Sequence, residues 1–309
     1  MAYLGPRGTY GEQAARAFAS RYNDSSIDLI PCPSISEVYS HPADFVVLPL
    51  ENTLQGGVVE TLDNLLSILL TPPSESSRDA HTRRRKIVMD LALPIRHCLV
   101  AKKGTKLEDI RWIRSHEQAL GQSAQFLSRH LPAASLQPYP STARAAVSLL
   151  SEADSSGRGA ALCSKAIMSL YPAELEVLFE GTQAIENNFT RFLLLQRDTH
   201  APPPTPTSSH NSHPTHFYAL RNASLLAPVL SVVKPIEIHS RPCPPNPNPH
   251  ISNGHKDEGE GLFPTWYLVE ISSVAQGEED NDDGMRSLDG VVCLGSTAGR
   301  MTPEELAVL

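Results

Sequence analysis

Apolar residues in this chain gather in short runs that alternate with amphipathic stretches, from the N-terminus to Arg197. That order predicts an α/β fold, with strands at 2–4, 27–30, 45–48, 87–101, 112–114, 160–162 and 192–195. Helices are expected at 10–21, 58–69, 115–130, 141–150 and 165–170. Ser34-x-x-Glu37 is a capping box that opens a further short helix. The run Phe45-Val46-Val47-Leu48 is of the kind buried on both faces of a parallel sheet, and it leads into a polar loop at 49–57.

Beyond Arg197 the pattern changes. Residues 198–216 are rich in Pro, Ser, Thr and His with no apolar face, which predicts a linker. Strands at 217–220, 236–238, 265–271 and 290–294, a helix at 225–233 and a closing helical turn at 303–309 then suggest a βαββ-type module. Two inserts, 242–262 and the acidic 276–289, lengthen its loops, and 71–86 reads as a mobile insertion in the first part of the chain.

Composition narrows the function classes. At 309 residues two or three domains are expected, and 40% hydrophobic residues suffice for real cores. A formal charge of −8 without a basic stripe argues against a nucleic-acid partner, and Arg83-Arg84-Arg85-Lys86 reads as solvated surface. The five cysteines are scattered without C-x-x-C spacing, as expected of reduced thiols. Neither a leader nor an apolar run near the ~20 residues of a membrane span is visible, so a cytoplasmic protein with no membrane partner is expected.

Candidate chemistry collects where polar turns meet predicted strands. The stretch 184–196 ends a turn-prone segment in Thr190 and Arg191, which puts a hydroxyl and a guanidinium at the mouth of a strand. Arg grips carboxylates with a planar fork, so an anionic small molecule is a natural guest. Gly5-Pro6-Arg7-Gly8-Thr9, between a strand and a helix, leaves backbone N–H groups to face an anion or simply turns the chain. Glu51, Asn52, Thr53 and Gly57 crowd another strand end, and Ser115 is expected to cap a helix with Gln118 at the capping-box position. His97, inside an apolar run, reads as a satisfied core residue. The linker histidines His200, His210, His213 and His216 lack ligand spacing, so no metal is expected.

Together these stretches resemble prephenate dehydratases. The resemblance rests on Tyr3-Leu4-Gly5-Pro6-Arg7-Gly8-Thr9-Tyr10, on Leu48-Pro49-Leu50-Glu51-Asn52-Thr53 with Gly57, Thr61, Leu62 and Asp63, and on Ser115-His116-Glu117-Gln118-Ala119-Leu120-Gly121-Gln122. Ser141-Thr142-Ala143-Arg144-Ala145-Ala146 and Asn188-Phe189-Thr190-Arg191-Phe192 complete it. It implies a two-lobed type 2 periplasmic-binding-protein-like catalytic domain over 1–197, with lobe 1 at about 1–85 and 190–197 and lobe 2 at about 95–182. A linker at 198–214 and a small α+β, ferredoxin-like ACT domain over 215–309 with two loop insertions would follow.

The same resemblance implies a hydro-lyase of phenylalanine biosynthesis that turns prephenate into phenylpyruvate, CO2 and water, without cofactor or metal. Arogenate dehydration, or non-catalytic binding in the same cleft, are the alternatives. Carried over residue by residue, the catalytic candidates are Thr190, Arg191, Glu51 and His116, with Thr9, Asn52, Thr53, Gly57, Ser115, Gln118, Asn188 and Phe192 as substrate-binding candidates. Leu226, Ser240, Arg241 and Pro242 would belong to a site for L-phenylalanine as allosteric inhibitor, in a homodimer or homotetramer. There the match thins: His239 stands where the family has Glu, and Ser224-Leu225-Leu226 where it usually has Gly-Ala-Leu.

Overall fold

The computed structural model of the chain describes residues 1–22, 27–70, 85–151, 158–197, 214–232, 235–243, 264–272, 288, 290–297 and 300–301. The predicted closing turn, and most of the predicted linker and of the three predicted inserts, lie outside the described residues, while Thr215 and His216, read as the linker's end, start a strand. Internal contacts divide the chain into two compact units, Met1–Gly56 with Leu91–Phe192, and Gly57–Asp90 with Leu193–Met301.

The first unit opens with β1 (Ala2–Leu4), α1 (Tyr10–Ala19), β2 (Ile30–Cys32), α2 (Ile35–Ser40) and β3 (Phe45–Asn52), and β1 pairs parallel to both β2 and β3. Ala14, Ala15 and Phe18 of α1 are fully buried, as is Tyr3 of β1. Gly11 makes this closeness possible, because a Cβ there would stand 2.5 Å from the Leu4 carbonyl oxygen. Ser34 caps the helix as predicted, its Oγ accepting from the Glu37 N–H at 3.2 Å and donating to the Glu37 carboxylate at 3.3 Å. β3 runs four residues past its expected end, through Pro49 to Asn52. Its bonding to β1 is registered at Val46 and Val47, before Pro49, so the missing proline N–H interrupts nothing there.

After β4 (Gly56–Gly57) and α3 (Val59–Leu66), β5 (Arg85–Pro94) and β6 (His97–Lys102) stand where one strand was expected at 87–101. Pro94 marks the break: it ends the strand, and the chain crosses into a second sheet. That sheet holds β6, β7 (Trp112–Ser115), β8 (Ser135–Pro138), β9 (Gly159–Ser164) and β10 (Leu175–Glu180), in the order β10-β6-β9-β7-β8. Strands β8 and β10 were not expected, since β8 is a mostly exposed edge and β10 is buried chiefly at Leu175.

The predicted helix at 115–130 is two helices, α4 (Glu117–Gln122) and α5 (Ala124–His130), broken at Ser123. The Ser123 hydroxyl is buried 2.9 Å from that of Thr182. Residues of β6 alternate between the two faces: Cys98 and Val100 pack with Ala143, Ala146 and Leu149 of α6 (Thr142–Ser151), while Leu99 and Ala101 pack with Leu120 and Leu127. Both faces are covered, which is why the run reads as uniformly apolar. The chain then returns through 181–188 to β11 (Phe189–Arg197), which neighbours β3. The first unit is thus two α/β lobes joined by two crossings.

In the second unit, β12 (Thr215–Leu220), α7 (Leu226–Val232), β13 (Pro235–Pro242), β14 (Thr265–Ser272) and β15 (Val291–Thr297) form an antiparallel sheet ordered β13-β14-β12-β15, with α7 contributing the buried Val229. The first and third of the four strands lie in the middle, as in a ferredoxin-like fold. Helix α3 belongs to this unit, and Asp63 on it forms a bidentate ion pair with Arg241 of β13 at 2.6 and 3.1 Å. None of the five cysteines is part of a disulfide.

Candidate functional site

The end of β3 and the start of β11 meet at Asn52. Its Nδ2 group lies 2.8 Å from Asn188 Oδ1, 3.0 Å from the Phe189 carbonyl oxygen and 3.0 Å from Thr190 Oγ1, while its Oδ1 accepts from the Leu54 N–H at 3.0 Å. A carbonyl can only accept and an N–H can only donate, so the Phe189 and Leu54 backbones fix which end of the amide is which. Thr53 stitches the same junction: its N–H donates to Phe189 O at 3.0 Å, and its hydroxyl donates to Asn187 O and accepts from the Phe189 N–H.

Because Thr190 Oγ1 accepts from Asn52, its own proton must point elsewhere. Thr190 is only partly buried. Next to it, Arg191 is 3% exposed rather than solvated, and Nη1 pairs with Glu51 Oε1 at 3.1 Å. The carboxylate that Arg191 grips here is therefore the protein's own. Glu51 Oε1 is the acceptor of that bond. Among the described residues, amides, a hydroxyl, a carboxylate and a guanidinium gather at this junction, a set suited to anions and hydroxyl groups.

Asn188, fully buried, continues the network toward the second lobe. Its Nδ2 donates to Gln122 Oε1 at 3.0 Å, and the same oxygen lies 2.9 Å from His97 Nε2. His97 is 4% exposed, and burial lowers its pKa below the usual histidine value against a smaller opposing effect of the Gln122 bond. Its Nδ1 lies 3.1 Å from the oxygen of the Tyr10 hydroxyl, whose one hydrogen faces the Arg96 carbonyl oxygen at 2.8 Å. Gln183 clamps the crossings by accepting from the His97 N–H and donating to Ile95 O. Sequence reasoning missed Gln122 and Gln183. For Gln122 a signal was present, since it stands four residues after Gln118, on the same helical face as the residue that was chosen.

Other candidates lie elsewhere or are already engaged. Thr9 caps α1, its oxygen accepting from the Glu12 N–H at 3.3 Å and its proton facing the Leu4 and Pro6 carbonyls. The anion at that helix start is internal, for the Gly8 N–H donates to Glu12 Oε2 at 2.5 Å. Ser115 is not the cap of α4 but the last residue of β7, fully buried, with its hydroxyl donating to Leu162 O at 2.6 Å. His116 is the cap, Nδ1 accepting from the Gln118 N–H at 3.4 Å, because the strand bond commits the serine first. Gln118 is exposed, and Phe192 is a core residue, 4% exposed. Gly57 falls in the second unit, where a Cβ would meet Leu62 and His239 at 3.0 and 3.4 Å. Leu226 begins α7 and packs on the core of the second unit, while Ser240, Arg241 and Pro242 end β13.

A family model for prephenate dehydratase matches residues 1–200. The chain is 34% identical over 200 residues to the bifunctional chorismate mutase/prephenate dehydratase of Enterobacter agglomerans, covering 64% of this chain and 46% of that protein. It is 33% identical over 202 residues to arogenate dehydratase 5, chloroplastic, of Arabidopsis thaliana, covering 64% of this chain and 42% of that protein. The chain thus spans about half the length of these curated relatives. The crystal structure of prephenate dehydratase in complex with L-Phe from Arthrobacter aurescens superposes with a TM-score of 0.69 at 26% identity, covering 96% of this chain and 89% of that one. On the strength of a match that takes in the whole Asn52–Thr190 junction, the chain belongs to the prephenate dehydratase family.

Proposed function

We propose that this chain is a dehydratase acting on prephenate, a carbon–oxygen lyase that releases phenylpyruvate, CO2 and water. The observation that carries the reading is the Asn52–Thr190 bond, which leaves the threonine proton free for a leaving hydroxyl. In the reaction the bond from the ring to its carboxylate breaks, its electron pair completes the aromatic ring, and the C–O bond on the opposite ring carbon breaks with hydroxide departing. One proton converts that hydroxide to water.

Threonine is too weak an acid to supply this proton by itself at neutral pH, so Thr190 acts as an oriented donor to the charge developing on oxygen. Solvent supplies the net proton. Arg191 would share its guanidinium between Glu51 and a substrate carboxylate. Neither a metal nor an organic cofactor enters this chemistry.

The catalytic domain is taken as 1–197, with lobes at about 1–85 with 190–197 and at 95–182, and an ACT-like module as 215–309 that takes L-phenylalanine. Dimerisation through that module is supported by β13, which ends its sheet and exposes Ile236 and Ile238 at 53% and 40%. A cytoplasmic location fits a biosynthetic enzyme, and no helix among the described residues is long and apolar enough to cross a membrane. The names of the relatives favour two substrates, prephenate and arogenate, which carry a ketone and an amine respectively at the same side-chain carbon. Incubating the purified chain with each and following phenylpyruvate and phenylalanine separately tests the reading. Turnover of prephenate supports it, and turnover of arogenate alone or of neither overturns it.

A further inference from the structure

The amides between Asn52 and His97 form a chain whose donor directions can be derived one link at a time. The Phe189 carbonyl and the Leu54 N–H orient Asn52, so its Nδ2 is a donor. Its neighbour Asn188 Oδ1 is then an acceptor, which makes Asn188 Nδ2 the donor to Gln122. Gln122 Oε1 therefore receives one hydrogen from Asn188, and the His97 Nε2 that faces the same oxygen at 2.9 Å must carry a proton. The neutral ring then presents a bare Nδ1 to the Tyr10 hydroxyl, whose single hydrogen is shared between that nitrogen at 3.1 Å and the Arg96 carbonyl oxygen at 2.8 Å. Reversing the Gln122 amide would bring its NH2 group against the Asn188 donor, so the amide stays as it is and the Nε2–H supplies the second hydrogen to its oxygen.

We propose that His97, which does not touch the substrate site, is a positioning residue for Thr190, fixing through Gln122, Asn188 and Asn52 the direction in which the threonine proton points. The role rests on the functional reading above, and it differs from ordinary core packing in being directional. A side chain that fills the same space without an Nε2–H leaves Gln122 Oε1 with one partner instead of two. The Gln122 amide can then rotate and Asn188 loses its fixed acceptor, which shifts the Asn188 oxygen that competes with Thr190 for the two hydrogens of Asn52.

The test uses the full chain labelled with nitrogen-15 at histidine, with the His97 signals identified by their loss in His97→Gln. A pyrrole-like Nε2 and a pyridine-like Nδ1 are expected near neutral pH, and the opposite tautomer or a doubly protonated ring overturns the proposal. Kinetics on prephenate supply the second arm. His97→Phe should lower kcat about tenfold or more with KM within about twofold, as expected when a reacting group is held loosely. His97→Gln, whose amide nitrogen reaches the place of Nε2, should restore most of that loss.

Thr182→Val removes the buried hydroxyl pair with Ser123 beside His97 and should lower Tm while leaving kcat unchanged. Equal kcat losses in all three variants would mean that His97 is structural only, which overturns the proposal. A wild-type chain with no prephenate turnover would remove the functional reading and the positioning role with it. The tautomer needs no substrate, so it still reports whether the amide chain is oriented as derived.

Discussion

Replacing Asn52 separates a donor from a space-filler. Its NH2 group has two hydrogens shared among three acceptors at 2.8 to 3.0 Å, while its carbonyl holds the Leu54 N–H. Asn52→Ala removes all of these, and at about 1 kcal/mol net per hydrogen bond the loss is about 2–3 kcal/mol. Asn52→Asp keeps the shape and the Leu54 bond, yet it turns an acceptor oxygen toward Asn188 Oδ1 and the Phe189 carbonyl and draws the Thr190 proton to itself, so it should be at least as destabilising. At about 2–4 °C per kcal/mol, Tm should fall by about 4–12 °C in either variant. With Thr190 no longer oriented, kcat on prephenate should drop about 10²–10³-fold, the usual consequence of losing one oriented donor. Calorimetry and steady-state turnover read the two quantities. If Asp proves harmless and Ala does not, Asn52 only fills space, and the reasoning from its NH2 group is refuted.

Stability should also fall in acid because of His97, whose folded pKa lies below its unfolded value through burial. Below the unfolded value of about 6.5 the unfolded chain binds the proton and the folded chain does not, so stability declines as pH falls from there toward the folded pKa. Thermal melts of His97→Gln should show a flatter slope in that window. Gly11→Ala would place a Cβ 2.5 Å from the Leu4 carbonyl oxygen, and chemical denaturation should report a loss of about 1–3 kcal/mol. The Asp63–Arg241 pair is partly exposed, with side-chain exposures of 49% and 24%, so a double-mutant cycle should give a coupling no larger than about 1 kcal/mol.

How much of this was legible depends on whether the interaction is local. The capping box at Ser34 and the start of α1 at Tyr10 are set by neighbours and could be read directly. Thr190 and Arg191 were visible because polar turn and apolar strand change over at that point. The partner of Arg191 was not, since Glu51 is 140 positions away and the choice between a ligand and an internal carboxylate is made by the fold. Locally, the loop at Gly8 looked open to an anion, and Glu12 in the first helical turn was the sign that the chain supplies its own. Pro94 announced the split between β5 and β6 but was outweighed by the apolar residues around it. His97 was rightly read as buried, and burial alone could not reveal that its ring faces an amide chain leading to Thr190.

Thr190→Val bears most directly on the central claim, because it keeps the volume of the side chain and removes only the hydroxyl. Single-turnover measurement on saturating prephenate should show a rate lowered about 10²–10³-fold with substrate affinity and Tm close to those of the unmodified chain. A rate within a few-fold of the unmodified chain would show that hydroxide leaves without help from Thr190, and the account would be wrong at its centre.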